Sequence, residues 1–213
     1  MSYIGLIGVS NLDPESRYGF EKAEQMVKDG FDPTVIKIQT GWEKGIDGFW
    51  RYEILDPFME SATIEDYVKP RFGEPINIRM ILKDALILKA YPEFENLTLY
   101  AMYAPHRGTA GYYNPATNGM VVAMGKPSDV FDYQIEGVLL HEAQHLIQEI
   151  EDFAKGGDPK TIGRRRYHCL AGEVEARNIC RRHFLTEEER RRTLRTETQD
   201  VPDSKQIILK PLG

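Results

Sequence analysis

Three residues of the chain combine the types and the spacing of a metal-dependent hydrolase: His141, Glu142 and His145, which form an HExxH motif. In an α-helix, side chains four residues apart lie about 40° apart around the axis and about 6 Å along it. The two imidazoles can therefore face one zinc ion. Glu142 projects beside the same place, where its carboxylate can accept a proton from a water molecule that the metal activates. The motif thus favours zinc-dependent hydrolysis over a purely structural role.

The residues around the motif favour a helix with HExxH near its middle. Apolar residues recur at helical spacing through this segment, at Ile135, Val138, Leu139, Leu146 and Ile150. Ser128 and Asp132 are both candidate N-caps, and Gly156 and Gly157 are expected to follow the C-terminal end. One amphipathic helix would then hold both histidines on the same face.

A catalytic zinc usually takes three protein ligands, so a third ligand is needed. Residues 170–178 are predicted to form a second helix, which carries Glu173 and Glu175. Residues two apart on a helix point to nearly opposite sides, so only one of the two carboxylates can face the metal. Glu173 shares its face with small, mostly apolar residues that would pack on the first helix. This favours Glu173 as the third ligand, and Glu175 is the alternative.

The spacing of these residues resembles that of the glutamate-zincins, in which HExxH is followed some thirty residues later by Glu-x-Glu-Ala. The resemblance implies that His141, His145 and Glu173 bind zinc and that Glu142 is the general base. Many of those families carry an acidic or amide residue four positions after the ligand glutamate. Here Arg177 stands at that position, so Glu175 stays open as the third ligand.

A closer resemblance extends over nearly the whole chain. The segments that carry it are, in order, Thr40-Gly41-Trp42, Asp47-Gly48-Phe49-Trp50-Arg51-Tyr52-Glu53, Ala90-Tyr91-Pro92, Gly111-Tyr112-Tyr113-Asn114-Pro115, the HExxH segment, Ala171-Gly172-Glu173-Val174-Glu175-Ala176-Arg177 and Asp200-Val201-Pro202. They resemble the metallopeptidase-like large polyvalent protein-associated domain of bacteriophages and other mobile elements. The resemblance implies a zincin-like fold and peptidase activity, and it does not imply a particular substrate.

The expected fold class is α+β: a small mixed or antiparallel sheet packs against the HExxH helix, and a second helix bears the third ligand. We expect an N-terminal α+β region at residues 1–95 and a metal-binding catalytic region at residues 96–213. Helices are predicted at residues 15–30, 33–39 and 75–88, and strands at 49–55, 97–103 and 119–124. Residues 112–115 are predicted to form a turn. The strand at 119–124 is predicted to be an edge strand to which an extended peptide adds.

Composition places the chain among globular proteins that bury a substantial core. It has 213 residues, of which 41% are hydrophobic. No apolar run approaches the length of a membrane span or follows the pattern of a secretory signal, so we expect a cytoplasmic protein, encoded by a bacterium or a phage.

Cys169 and Cys180 would lie about 16 Å apart on one helix, too far for a disulfide, and are expected to be reduced. Trp42 and Trp50 are expected to be core anchors.

Positive charge is concentrated in residues 155–195, which contain twelve Lys/Arg and six Asp/Glu. A basic segment can attract nucleic acid, but the acidic residues 187–189 are expected to pair with the basic residues 190–192 on a solvated helix capped by Thr186. Nucleic acid is therefore the less favoured partner. A protein or peptide substrate is the main expectation, and the oligomeric state stays open.

The predicted reaction is peptide-bond hydrolysis in which Glu142 accepts a proton from water and passes it to the leaving amine. The developing oxyanion needs one more donor, and Tyr167, His168, Arg177 and His183 are equal candidates. The alternative function is a phage-encoded binding module that engages a host protein or nucleic acid without cutting it. The presence of the general base in HExxH favours the enzyme, because a binding module gains nothing from it.

Overall fold

The computed structural model describes residues 2–10, 14–57, 66–81, 86–103, 111–124 and 135–209. The described helices are α1 (Pro14–Lys28), α2 (Pro33–Thr40), α3 (Leu86–Ala90), α4 (Ile135–Ile150), α5 (Pro159–Ile162), α6 (Arg164–His168), α7 (Ala171–Arg182), α8 (Glu187–Arg192) and α9 (Arg195–Thr198). The described strands are β1 (Ser2–Ile7), β2 (Trp42–Lys44), β3 (Trp50–Pro57), β4 (Pro75–Asn77), β5 (Thr98–Tyr103), β6 (Gly111–Asn114) and β7 (Gly119–Met124). Short 3-10 helices connect several of them. The chain is therefore a mixed α+β protein with small sheets, as the sequence predicts.

Two separate sheets are present in this part of the chain. The first is antiparallel, with three strands in the order β1-β3-β2. The second has four strands in the order β4-β5-β7-β6 and is mixed, because β5 and β7 run parallel while β4 and β6 run antiparallel to their neighbours. Helix α4 contacts β1 of the first sheet and both β6 and β7 of the second. The HExxH helix thus lies against both sheets.

Several predicted elements agree with the structure to within a few residues. The helix at Pro33–Thr40 begins as expected, since the Asp32 side chain accepts a hydrogen bond from the Thr34 N–H and proline occupies the first turn. At Thr186 the predicted cap is part of a complete capping box with Glu189. Helix α4 carries HExxH as predicted, and both candidate N-caps, Ser128 and Asp132, lie outside the described residues.

The helix predicted at residues 75–88 is wrong over its first six residues. Pro75–Asn77 instead form β4, which pairs antiparallel with β5, and a 3-10 helix follows at Ile78–Met80. The Ile76 and Ile78 side chains are buried while their neighbours are exposed, which is the period-two pattern of a strand. Asn77 then accepts a hydrogen bond from the Arg79 N–H and starts the 3-10 helix. Residues 82–85 of the predicted helix lie outside the described ones.

The prediction that Gly119–Met124 is an edge strand is also wrong. This strand, β7, pairs with β5 on one side and with β6 on the other. Strand β6 forms from the residues predicted as a turn, and the actual turn follows it, with Asn118 in the left-handed conformation at φ 44°. The hairpin of β6 and β7 therefore moves the edge of the sheet to β6.

The largest hydrophobic cluster draws buried side chains from both sheets, from α4 and from α7, including Leu6, Leu99, Leu146 and Ile179. A smaller cluster of Ala23, Met26, Ile36 and Trp42 lies under α1 and α2. Trp42 is fully buried, as expected of a core anchor, and packs edge-on against Phe20. Residues before and after position 95 share the large cluster, and the division into two regions at that position stays a prediction.

Both cysteines are free thiols, as predicted. Cys180 lies against α4, where its Sγ is 3.0 Å from the Gly137 carbonyl oxygen, and burial raises the pKa of its thiol to about 12. Within the described part of the chain, no helix combines the length and the apolar composition needed to cross a bilayer.

Candidate metal centre

Helices α4 and α7 pack side by side and bring His141, His145 and Glu173 together. The Nε2 atoms of the two imidazoles are 3.1 Å apart. The Glu173 carboxylate projects from α7 towards them, with Oε2 3.4 Å from Nε2 of His141 and Oε1 3.5 Å from Nε2 of His145. Two imidazole nitrogens and a carboxylate therefore face one another.

These separations fit a tetrahedral zinc ion. With zinc–ligand bonds of about 2.0–2.1 Å and tetrahedral angles, two ligand atoms on one ion lie about 3.3 Å apart. The two Nε2 atoms are 3.1 Å apart, and each lies 3.4 or 3.5 Å from a different oxygen of the Glu173 carboxylate. With one ligand atom from each residue, the three atoms lie within 4.8 Å of one another. The two nitrogens and the carboxylate are also the donor types that zinc takes in hydrolases. The three side chains therefore offer donor types that a metal ion such as zinc could use.

The Glu173 carboxylate is buried and only partly satisfied by hydrogen bonds. Oε1 accepts a hydrogen bond from the Gly157 N–H at 3.1 Å, whereas Oε2 is buried without a hydrogen-bond partner of acceptable geometry. An unpaired carboxylate oxygen inside a protein is costly unless a cation or a donor reaches it. This oxygen, 3.4 Å from Nε2 of His141, is therefore free to contact a cation.

A glycine closes one side of the cluster. A Cβ on Gly156 would meet the Glu173 carboxylate and would lie 2.7 Å from Cε1 of His145. The segment that follows α4 can therefore pass directly over the cluster only because residue 156 has no side chain. On α7, Gly172 allows the same segment to pass closely, since its Cβ would lie 2.6 Å from the Ala154 carbonyl oxygen.

The electrostatics of the cluster favour positive charge. Burial tends to raise the pKa of Glu173, but the imidazoles of His141 and His145 lower it by more, to well below the usual range of a carboxyl. Burial likewise lowers the pKa of His145, while the carboxylates of Glu173 and Glu142 outweigh it and raise that pKa to about 9. A proton or a metal ion is thus stabilised between these groups.

Glu142 lies beside the cluster and is buried, with 5% of its surface exposed. Burial raises the pKa of its carboxyl, and the imidazoles of His145 and His141 offset part of this increase. The carboxylate also accepts a hydrogen bond from the main-chain N–H of Tyr113 in β6. A carboxylate with a raised pKa next to this group of histidines is suited to holding a proton for part of a reaction.

Glu175, the alternative third ligand, points into a different polar cluster. Its Oε2 accepts a hydrogen bond from Nε of Arg51 at 2.8 Å, and its Oε1 accepts from the side-chain amides of Gln144 and Gln148, each at 3.0 Å. Between the two carboxylates, the structure thus brings Glu173 to the histidines, as favoured from the sequence.

The candidate oxyanion donors differ in which groups they contact in the structure. The Tyr167 hydroxyl is hydrogen-bonded to the Glu173 carboxylate, and burial together with that carboxylate raises the pKa of Tyr167. Arg177 makes a two-point ion pair with Asp200, with Nε to Oδ2 at 2.7 Å, and also donates to the His168 carbonyl oxygen. The His183 ring packs against Phe184. Tyr167 is thus the candidate that the fold places beside the metal cluster.

Several arginines of the basic segment are used inside the protein. Arg182 is fully buried and forms a two-point ion pair with Glu53, and Arg195 forms one with Asp203. On α8, Arg192 pairs with Glu188 at 3.0 Å, as the sequence predicts. These pairs reduce the positive charge that the segment offers to nucleic acid.

The sequence reasoning missed the polar residues that support the cluster: Arg51, Gln144 and Gln148. The amide of Gln148 lies 2.8 Å from Nδ1 of His145, and Gln144 exchanges two hydrogen bonds with the main chain of Leu6 in β1. A signal for Gln148 was available, because it stands three residues after His145 and thus on the same face of the helix. Nothing local pointed to Arg51, which comes from β3.

Comparison with known proteins gives one match. Residues 11–62, about a quarter of the chain, match the family model for large polyvalent protein associated domain 23. The matched segment contains α1, α2, β2 and β3, and it ends well before HExxH. No curated protein and no solved structure matches the chain. The similarity to a polyvalent-protein domain therefore applies to this N-terminal segment.

Proposed function

We propose that the chain is a zinc-dependent metallopeptidase with a zincin-like catalytic region, in which His141, His145 and Glu173 hold the metal and Glu142 is the general base. The observation that carries the proposal is the convergence of two imidazole nitrogens and a partly unsatisfied buried carboxylate at the separations of a tetrahedral zinc site. The buried carboxylate of Glu142 on the next residue of the same helix supplies the group that hydrolysis needs in addition.

In this mechanism a bound zinc ion would lower the pKa of water and polarise the scissile carbonyl. Glu142 accepts the proton of the attacking water and passes it to the leaving amine. The hydroxyl of Tyr167, beside Glu173, is the donor that we assign to the oxyanion. Replacing Tyr167 by Phe should then lower kcat/KM by about 10²–10³ without changing the zinc content.

The substrate class follows from the position of β6. Strand β6 lies beside the general base, because a Cβ on Gly111 would be 3.1 Å from Oε1 of Glu142, and β6 has one side that does not face β7. No strand of the described chain pairs with that side. An extended peptide can add there by main-chain hydrogen bonds, which recognise any sequence in an extended conformation. We therefore assign to this site a protein substrate that is cut within an extended or unfolded segment.

The test uses metal analysis together with mapping of new protein termini in cells that express the chain. We expect one zinc per chain in the wild type, zinc loss in His145→Ala, and retention of zinc with loss of the new termini in Glu142→Gln. Glu149→Gln is the matched control, since it makes the same chemical change on an exposed position of α4 and should leave cleavage intact. If wild type and Glu142→Gln give the same termini, the alternative of a non-catalytic binding module is the better description.

A further inference from the structure

The Gln148 side chain is buried and hydrogen-bonded between α4 and α7, the helices that carry His145 and Glu173. It is 1% exposed and follows His145 by three residues on α4. Its Nε2 donates to the Gly172 carbonyl oxygen at 2.9 Å and to Oε1 of Glu175 at 3.0 Å, both on α7. Its Oε1 lies 2.8 Å from Nδ1 of His145. All polar atoms of this amide are therefore in contact with a partner.

The orientation of the Gln148 amide is forced by the chemistry of these partners. A carbonyl oxygen and a carboxylate oxygen can only accept hydrogen bonds, so the NH₂ group has to face Gly172 and Glu175. The amide oxygen must then face His145, and Nδ1 of His145 must carry a proton to donate to it. In the neutral imidazole the lone pair consequently lies on Nε2, which is the atom that faces His141 and Glu173.

The Glu175 carboxylate is itself positioned by Arg51, a residue of the N-terminal sheet. Arg51 in β3 is 1% exposed, and its guanidinium donates to Glu175 at 2.8 Å and to Asp47 at 2.7 Å. The same guanidinium lies over the Phe153 ring, with 3.2 Å between Cζ and the ring centroid. Asp47 also accepts a hydrogen bond from the Ala154 N–H, two residues before the glycine that covers the metal cluster. A continuous set of buried polar contacts thus joins residues 47–51 to His145.

We propose that Gln148 is a positioning residue for zinc, which fixes the tautomer and the ring orientation of His145, and that Arg51 supports it through Glu175. Residues 47–51 belong to the segment that matches the polyvalent-protein domain, so in this proposal the segment contributes to metal affinity through Glu175 and Gln148. The proposal rests on the proposed function only in that the cluster holds zinc. It adds that the N-terminal segment and the metal site form one functional unit.

The test compares two buried glutamines on the same helix. Gln144 and Gln148 both donate to Oε1 of Glu175, but only Gln148 contacts His145. Methionine is close to glutamine in volume, so Gln148→Met and Gln144→Met each remove one buried amide from the same cluster. In competition titrations with a chromophoric zinc chelator, Gln148→Met should lose about 10–100-fold in zinc affinity. Gln144→Met should change the affinity less than about threefold, at a comparable loss of thermal stability.

A second measurement does not depend on the variants folding. In the zinc-loaded wild type, long-range ¹H–¹⁵N correlation spectra should show a His145 Nδ1–H that exchanges slowly with solvent and an Nε2 without a proton. If the wild type binds no zinc, the proposed function fails. If it binds zinc but His145 coordinates through Nδ1, or both methionine variants weaken zinc binding equally, the positioning role of Gln148 is refuted while the zinc site stands.

Discussion

Two carboxylates that stand two residues apart on α7 lie in opposite environments. Glu175 accepts hydrogen bonds at both oxygens, from Arg51, Gln144 and Gln148. Glu173 has one oxygen that accepts from a main-chain N–H and one buried oxygen without a hydrogen-bond partner. A carboxylate surrounded by donors stabilises the fold, whereas a carboxylate with an unused buried oxygen facing two imidazoles is suited to a cation. The difference separates a cluster with satisfied hydrogen bonds from the proposed metal site on the same helix.

The largest effect should come from removing the charge of each carboxylate in turn. Glu173→Gln replaces a ligand oxygen and is expected to weaken zinc binding about a thousandfold or more. Glu175→Gln leaves the three ligands in place and should weaken it by no more than about tenfold. Chelator competition on purified proteins measures both. A larger loss in Glu175→Gln than in Glu173→Gln would reverse the assignment of the third ligand.

The second effect concerns stability and is expected at the Glu175 cluster. Arg51→Met leaves Glu175 and Asp47 buried without their cation, so the free energy of unfolding should fall by about 3–5 kcal/mol. Arg79→Met provides the control, because Arg79 is exposed and its ion pair with Glu95 should contribute less than about 1 kcal/mol. Urea denaturation measures both changes. Similar losses in the two variants would mean that the Arg51 cluster is not a structural centre.

A smaller effect is expected from adding one methyl group above the metal cluster. The Cβ of Gly156→Ala would press on the Glu173 carboxylate and the His145 ring, so zinc affinity should drop about tenfold. Gly19→Ala is the control, because its Cβ would meet the Thr40 carbonyl oxygen and the Trp42 ring rather than a ligand. That control should cost stability, about 1–3 kcal/mol, and leave the zinc affinity as it is. Equal zinc affinities in the two variants would argue against close contact of residue 156 with the site.

The smallest effect should appear on α4 away from both clusters. A Cβ on Gly137 would meet nothing within 4 Å, so Gly137→Ala should raise the free energy of unfolding by about 0.5–1 kcal/mol, because alanine loses less backbone entropy in a helix. Zinc affinity should not change. Thermal unfolding with and without zinc tests this, and a changed zinc affinity would show that the sensitivity of α4 extends beyond the two polar clusters.

Local sequence patterns were sufficient to predict the helices and strands around the candidate site. The HExxH helix, the caps of α2 and α8 and the strands β5 and β7 follow from residues that are close together in the chain. Two predictions failed where the result depends on distant residues. Residues 75–77 form a strand because β5 offers an edge to pair with, and β7 became internal because β6 covers its free side. Neither partner can be identified from a short stretch of sequence.

The sequence by itself determined that His141 and His145 lie close together on one face of a helix. Four residues of α-helix fix the distance and the angle between two side chains. It also limited the carboxylate that faces the histidines to Glu173 or Glu175, since helical geometry allows only one of them to do so. Only the tertiary structure decided between them, because the packing of α7 on α4 determines which face of α7 turns inward. The same packing places Gln148 against His145 and brings Arg51 from β3 to Glu175, contacts that span up to 124 positions in the chain.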